Sequence, residues 1–153
     1  MPEYPCHCGE RFSLPKKKHK QILAATENFC SGDCLLSYIN DFTPNAHGHK
    51  YIAPVISLDY EYWDLVSRSW FRSSYEAIVA HFFHTNGIET EYEKYGLRFR
   101  GKVYTPDFYI PDRDLFVEVK GLWAMSSKKK LTLCIECGYN IILIPSYLVR
   151  RLK

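Results

Sequence analysis

The chain of 153 residues is long enough to bury one core of ordinary size and carry a small appended module. Its hydrophobic content of 46% excludes a disordered protein, and no apolar run approaches the ~20 residues of a membrane span. A formal net charge of +3 is only a weak pointer to nucleic acid. The basic residues, however, are grouped locally at Lys16–Lys20, Lys128–Lys130 and Arg150–Lys153.

The N-terminus, MPEYPCHCGE, lacks the apolar core of a secretion signal. The expectation is a cytoplasmic, reduced protein with no membrane partner. Its six cysteines then read as metal ligands or buried thiols rather than disulfides. Residues 1–42 carry four of them. Cys6 and Cys8 flank His7, with Gly9 allowing a tight turn, and Cys30 and Cys34 open a predicted helix from Asp33 to Ile39. Four thiolates satisfy tetrahedral Zn²⁺ and imply a closed, structural site. The FCSGDC segment resembles the second half of treble-clef and ribbon zinc modules. The first half, C-x-C, departs from the commoner C-x-x-C and leaves open whether His7 replaces one cysteine. The loop between the pairs presents Lys16, Lys17, Lys18 and Lys20, a candidate contact for phosphates.

Residues 43–72 read as a connector. Thr43 to His49 is polar and turn-forming, so His47 and His49 are expected in a solvated linker. Tyr62, Val66 and Trp70 at four-residue steps predict a helix within Asp59–Ser69, a stretch also suited to dimer contacts.

Residues 73–153 carry the chemistry. Tyr75 to Thr85 reads as a helix with Tyr75, Ile78, Val79 and Phe82 as its core stripe, ended by Asn86-Gly87. Ser73 to Glu76 is S-x-x-E, so Glu76 is either a capping-box residue or a site residue. Ile88–Tyr92 and Leu97–Val103 read as strands. Glu91 and Glu93 suit an acidic ligand or, more plainly, a solvated edge. His81 and His84 read as packing or surface residues.

Thr105–Ile110 and Leu115–Lys120 read as two strands joined by the turn Pro111–Asp114. Side chains alternate along a strand, so Leu115, Val117 and Val119 share one face and Phe116, Glu118 and Lys120 the other. Pairing then brings Asp107, Glu118 and Lys120 together. Two close carboxylates repel unless a cation neutralises them, and a hard divalent ion such as Mg²⁺ accepts carboxylates, a carbonyl and waters. A neighbouring lysine orients a water or balances charge on a phosphate. These parts suit phosphodiester hydrolysis by a metal-activated water. Ser126 to Cys137 then predicts a helix carrying Lys128, Lys129 and Lys130, with Cys134 and Cys137 as buried or half-buried thiols. Asn140–Pro145 reads as a buried strand and Ser146–Leu152 as a short basic helix.

Pro106-Asp107 followed by Glu118-Val119-Lys120 resembles the PD-(D/E)xK nuclease signature. With Lys120-Gly121-Leu122-Trp123 and the lysines after it, the chain is similar to phage junction-resolving nucleases of the T7 endonuclease I type. The resemblance covers about Arg72 to Ser146. It implies an α/β, restriction-endonuclease-like core, with a mixed central sheet flanked by helices, beside the N-terminal zinc module. It implies a DNA endonuclease with catalytic Mg²⁺ (or Mn²⁺) in addition to structural Zn²⁺. Asp107, Glu118 and the Val119 carbonyl would hold the catalytic metal, Glu76 would assist, and Lys120 would position water. It also implies branched DNA such as a Holliday junction as substrate. A homing or mismatch-nicking endonuclease, an RNA nuclease, and a non-catalytic DNA-binding module stand as alternatives. Cutting both strands of a duplex suggests a homodimer or higher homo-oligomer.

Overall fold

The computed structural model describes residues 3–15, 18, 22, 26–55, 60–121 and 125–152. It has a mixed α/β architecture. Ten strands (β1–β10) and four helices (α1–α4) lie in the described residues. The centre is a four-stranded sheet in the order β10 (Ile141–Pro145), β9 (Leu115–Lys120), β8 (Phe108–Ile110), β5 (Glu91–Tyr92). The β9–β10 pair is parallel; the other two pairs are antiparallel.

The two central strands are apolar because both of their faces are covered. Leu115, Val117 and Val119 pack with Val79 and Phe83 of α2 (Ser74–Thr85) and Leu148 and Val149 of α4 (Ser146–Arg151). Phe116 and Leu143 point the other way, against Leu131 and Cys134 of α3 (Met125–Glu136). That second layer also receives Leu97 and Phe99 of β6 (Leu97–Phe99). Each fully buried side chain of this size contributes roughly 1.5–3 kcal/mol. The alternation expected along Leu115–Lys120 is therefore realised, as are the strand at Asn140–Pro145 and the terminal helix. Cys134 is buried and Cys137 half-buried, as expected.

The turn between β8 and β9 is a single 3-10 turn, Pro111–Arg113, followed by Asp114 in the left-handed region at φ 47°. Asp114 is held there by Tyr109, which donates to its carboxylate at 2.9 Å, and by Tyr51 and His47. His47 is thus half-buried rather than in a solvated linker, whereas His49 stays exposed, as expected. Their rings pack on Tyr139, at centroid distances of 5.8 and 4.4 Å, because these aromatic rings cover the open side of the second layer.

Several elements differ from expectation. No helix occupies the described part of Asp59–Ser69. Instead β3 (Tyr62–Asp64) and β4 (Ser69–Phe71) form a hairpin with Trp63 opposite Trp70. Asp64 accepts from Ser67 N at 2.7 Å and Arg68 adopts φ 54°, so a local turn overrides the four-residue spacing. The single strand expected at Leu97–Val103 is a second hairpin, β6 with β7 (Lys102–Tyr104), turning at Arg100 and Gly101. Strands β5 and β8 are shorter than the expected Ile88–Tyr92 and Thr105–Ile110. The buried stripe of α2 is Glu76, Val79, Ala80 and Phe83, while Tyr75, Ile78 and Phe82 are only partly buried. A glutamate at a core position hides the stripe from a reading based on apolar spacing.

At the N-terminus β1 (Glu3–Pro5) and β2 (Arg11–Ser13) form a hairpin, and α1 (Gly32–Asp41) follows, capped by Ser31. Phe12, Phe29, Leu35 and Ile39 join the same buried cluster as α2 and α4. Tyr147 of α4 donates to Phe29 O at 2.9 Å, and Arg151 donates to Cys30 O at 2.8 Å. Lys18 donates to Ser146 Oγ at 3.3 Å; Lys16, Lys17 and Lys20 lie outside the described residues, as do Leu122 and Trp123. No helix among the described residues is long and apolar enough to cross a membrane.

Candidate metal centres and nuclease cleft

The carboxylates converge where β8, β9 and α2 meet. Asp107 precedes β8, and its side chain accepts from Val119 N at 2.7 Å, across from β9. Ser73 caps α2 by accepting from Glu76 N at 3.2 Å. The reciprocal half of a capping box is not made. Glu76 instead turns inward and accepts a hydrogen bond from the Tyr92 hydroxyl. Glu93 joins them just past β5, its backbone N–H donating to Asp107 O at 2.8 Å. One carboxylate oxygen each from Glu76, Glu93 and Asp107 lies within 4.8 Å of the others, and all three residues are buried.

Glu93 was readable as a solvated edge residue; it is 8% exposed. Arg72 explains this, because its guanidinium forks onto Glu93 with Nη2 at 2.6 Å from Oε2, and Tyr60 donates to the same oxygen at 3.3 Å. Glu93 also sits at φ 49°, a left-handed conformation that costs a non-glycine residue on the order of 1 kcal/mol or more. Arg72, Tyr92 and Glu93 carry no motif in the sequence. Only the acid-rich run Glu91–Glu93 hinted at them.

Glu118 and Lys120 line the same open cleft, of about 400 Å³, with Val55, Arg72, Glu93, Tyr104, Thr105 and Asp107. Lys120 Nζ stands 3.5 Å from Glu118 Oε1, while Glu118 Oε2 is buried with no hydrogen-bond partner among the described residues. Glu118 is not part of the 4.8 Å cluster. A larger hollow of about 520 Å³ beside Ile78, Phe82 and Leu152 shares no lining residue with this cleft, so chemistry rather than size singles out the site. His81 faces Asp64 at 3.1 Å, away from the cleft.

The electrostatics mark the cleft as short of positive charge. Burial, then the nearby Glu76, push the Asp107 carboxyl well above its ordinary range; the Val119 N–H and Lys120 oppose this. Burial lifts Glu118 to about 8, with Lys120 pulling it down and Glu76 pushing it up. Two carboxylate charges at the 4.8 Å limit repel by on the order of 3 kcal/mol at an effective dielectric of 20. Arg72 offsets one charge. Hard oxygen donors, an orphaned buried carboxylate oxygen and an open side are what a hydrated divalent cation fits.

The second cluster is made of sulfur. Cys6, Cys8, Cys30 and Cys34 each offer a Sγ within 4.8 Å of the others. The Cys8–Cys30 and Cys30–Cys34 Sγ distances are 4.0 and 3.4 Å, bracketing the ~3.8 Å edge of a tetrahedron with 2.3 Å Zn–S bonds. Gly9, at φ 91°, closes the turn that brings Cys8 back. His7 is turned elsewhere. Its ring packs edge-on against Tyr38 at 4.7 Å, with Nδ1 3.7 Å from Glu27.

A lysine and several buried carboxylates thus gather on the central sheet in one open cleft. Comparison with known proteins gives the family. The family described as Phage endonuclease I matches residues 58–142, more than half of the chain, and this chain belongs to it. It is 39% identical over 70 residues to "Endonuclease I" of Escherichia phage T7, covering 43% of this chain and 46% of that protein. It is 36% identical over 70 residues to "Endodeoxyribonuclease 1" of Enterobacteria phage T3, covering 43% and 45%. These alignments therefore span less than half the length of either relative. No solved structure matches. Glu76, Glu93, Asp107, Glu118 and Lys120 all fall within the family match; the four clustered cysteines fall outside it.

Proposed function

We propose that this protein is a metal-dependent DNA endonuclease with a PD-(D/E)xK core, acting on branched DNA such as a four-way junction. The observation that carries the reading is the convergence of buried Glu76, Glu93 and Asp107, of which Glu93 and Asp107 line one open cleft with the Glu118–Lys120 pair. The family relationship supports it, since both relatives are named as endonucleases of phages.

In this reading Asp107 and Glu118, with the Val119 carbonyl, hold Mg²⁺ or Mn²⁺, and Glu76 assists directly or through a water. Glu93 is a further candidate for the same shell. The bound cation supplies the Lewis acidity that activates water and offsets charge on the phosphate. Lys120 faces the open side. It holds the attacking water in line and donates to a non-bridging phosphate oxygen as charge grows there. Arg72 aims Glu93, and Tyr92 aims Glu76. Residues 1–42 form a zinc module on Cys6, Cys8, Cys30 and Cys34. Residues 43–72 join it to the nuclease core, residues 73–153. Lys16, Lys17, Lys18 and Lys20, together with Lys128, Lys129 and Lys130, contact the DNA backbone, and two copies act together on the two strands.

The test is cleavage with Mg²⁺ of a four-way junction, a linear duplex, a mismatched duplex and a single strand. The expected result is selective cutting of the junction, with Asp107→Ala and Lys120→Ala silent. Tight binding without cutting of any DNA, genomic DNA included, would instead support a non-catalytic binding module. Cutting of genomic DNA at one discrete site would favour a homing endonuclease.

A further inference from the structure

The β6–β7 hairpin takes no part in the cleft's chemistry. Leu97 and Phe99 anchor it in the second layer, 0% and 3% exposed, and Tyr139 donates to Arg98 O at 2.8 Å. The tip is a two-residue loop, with Arg100 at φ 45° and Gly101 at φ 75°, the conformation of a tight primed turn. On this rigid frame Arg98, Arg100 and Lys102 are all exposed. None of the three has an ion-pair partner among the described residues. By contrast, Arg72 and Lys94 are each committed to a glutamate.

Placement gives these cations a direction. Lys102 stands two residues, or about 7 Å of strand, before Tyr104, which lines the cleft. Leu97 and Phe99 share one hydrophobic cluster with Leu131 of α3 and Phe116 of β9. The hairpin and α3, with its exposed Lys129 and Lys130, therefore pack on the face of β9 that carries Phe116, Glu118 and Lys120.

We infer that the β6–β7 hairpin is a phosphate-backbone contact, in which Arg98, Arg100 and Lys102 grip the nucleic acid beside the cleft. It rests on the nuclease reading for its substrate class. Unpaired cations fixed on a rigid turn release counterions on binding without first breaking a protein ion pair. They contact phosphates, so they add affinity without reading bases.

The test is fluorescence anisotropy of a labelled four-way junction, titrated at several salt concentrations with Ca²⁺ in place of Mg²⁺. It uses Asp107→Ala protein, so that nothing is cut. Adding Arg98→Gln, Arg100→Gln and Lys102→Gln should weaken binding at least ~10-fold near 0.15 M salt and lower the log–log salt slope by about 2–3. A charge-keeping triple variant, Arg98→Lys, Arg100→Lys and Lys102→Arg, should retain the slope, and circular dichroism checks that each variant is folded. An unchanged slope in the glutamine variant overturns the hairpin assignment even if the wild type cuts DNA. If the wild type cuts nothing but its slope depends on the hairpin, the contact stands and the nuclease reading falls. If the protein does not bind the junction, both fall.

Discussion

The molecule carries two candidate metal centres built on opposite plans. The sulfur cluster uses four equivalent soft donors from two chain segments that also form a local hairpin and a capped helix. The carboxylate cluster draws Glu76, Glu93 and Asp107 from three separate elements, and it opens onto a cleft. Closure suits a metal whose role is to hold the chain; an open side suits one whose role is to meet a substrate. The contrast extends to charge. Burial pushes the Cys6 thiol up to about 12, while the backbone at Glu10 draws Cys8 below its ordinary value. Burial raises the carboxyls of Asp107 and Glu118 above their ordinary values, so the second centre resists ionising until a cation compensates.

The sharpest way to break this contrast is to remove each metal. Chelation of zinc, or Cys30→Ser with Cys34→Ser, should unfold residues 1–42, because a structural zinc site supplies on the order of 10 kcal/mol to a small module. Phe29 and Leu35 share the buried cluster of α2 and α4, so the main thermal transition should fall as well. Calorimetry with and without chelator measures it, and an unchanged transition would make the cysteines bystanders.

Asp107→Asn should do the reverse, lowering cleavage about 10³-fold, or ~4 kcal/mol of barrier, while leaving metal-free stability unchanged or raised. Single-turnover cleavage alongside thermal melts tests both halves. Arg72→Gln is the intermediate case. It strands Glu93 without its buried partner, so loss of stability by about 3 kcal/mol should accompany the loss of activity. Denaturant unfolding provides the measure.

Gly121 tests how tightly the cleft is framed. A Cβ there would stand 2.6 Å from the Tyr75 ring of α2, so Gly121→Ala should cost roughly 1–3 kcal/mol by overpacking. Gly121→Ala with Tyr75→Ala should cost less than the sum of the two single changes.

Burial of Glu118 also sets a pH dependence. Burial raises Glu118 in the folded state to about 8, above its ordinary 4.5. Its protonated form is therefore favoured on folding. That stability is present below about pH 4.5 and is lost as pH rises through about 8, so the metal-free protein should melt lower at pH 8 than at pH 5. Mg²⁺ should reverse the fall, and Glu118→Gln should flatten it.

Local chemistry explains what could be read from the chain. The alternation in Leu115–Lys120, the turn at Pro111–Asp114, the cap at Ser73 and the thiol spacing each act within a few residues, and each appears in the structure. The Trp63–Trp70 hairpin did not, because two aromatic strands around a short turn mimic helical spacing. Glu93 did not either, since its burial depends on an arginine twenty-one positions away.

By itself, then, the sequence determined the central strands, the helices that flank them, and which residues are chemically able to hold metal. Only the tertiary structure decided that Glu93 joins Glu76 and Asp107, and that His7 turns away from the thiols. Strand periodicity and caps are set by neighbours along the backbone. The meeting of buried charges is set by which distant elements pack together, and by whether an arginine, a lysine or a cation stands close enough to make that burial tolerable.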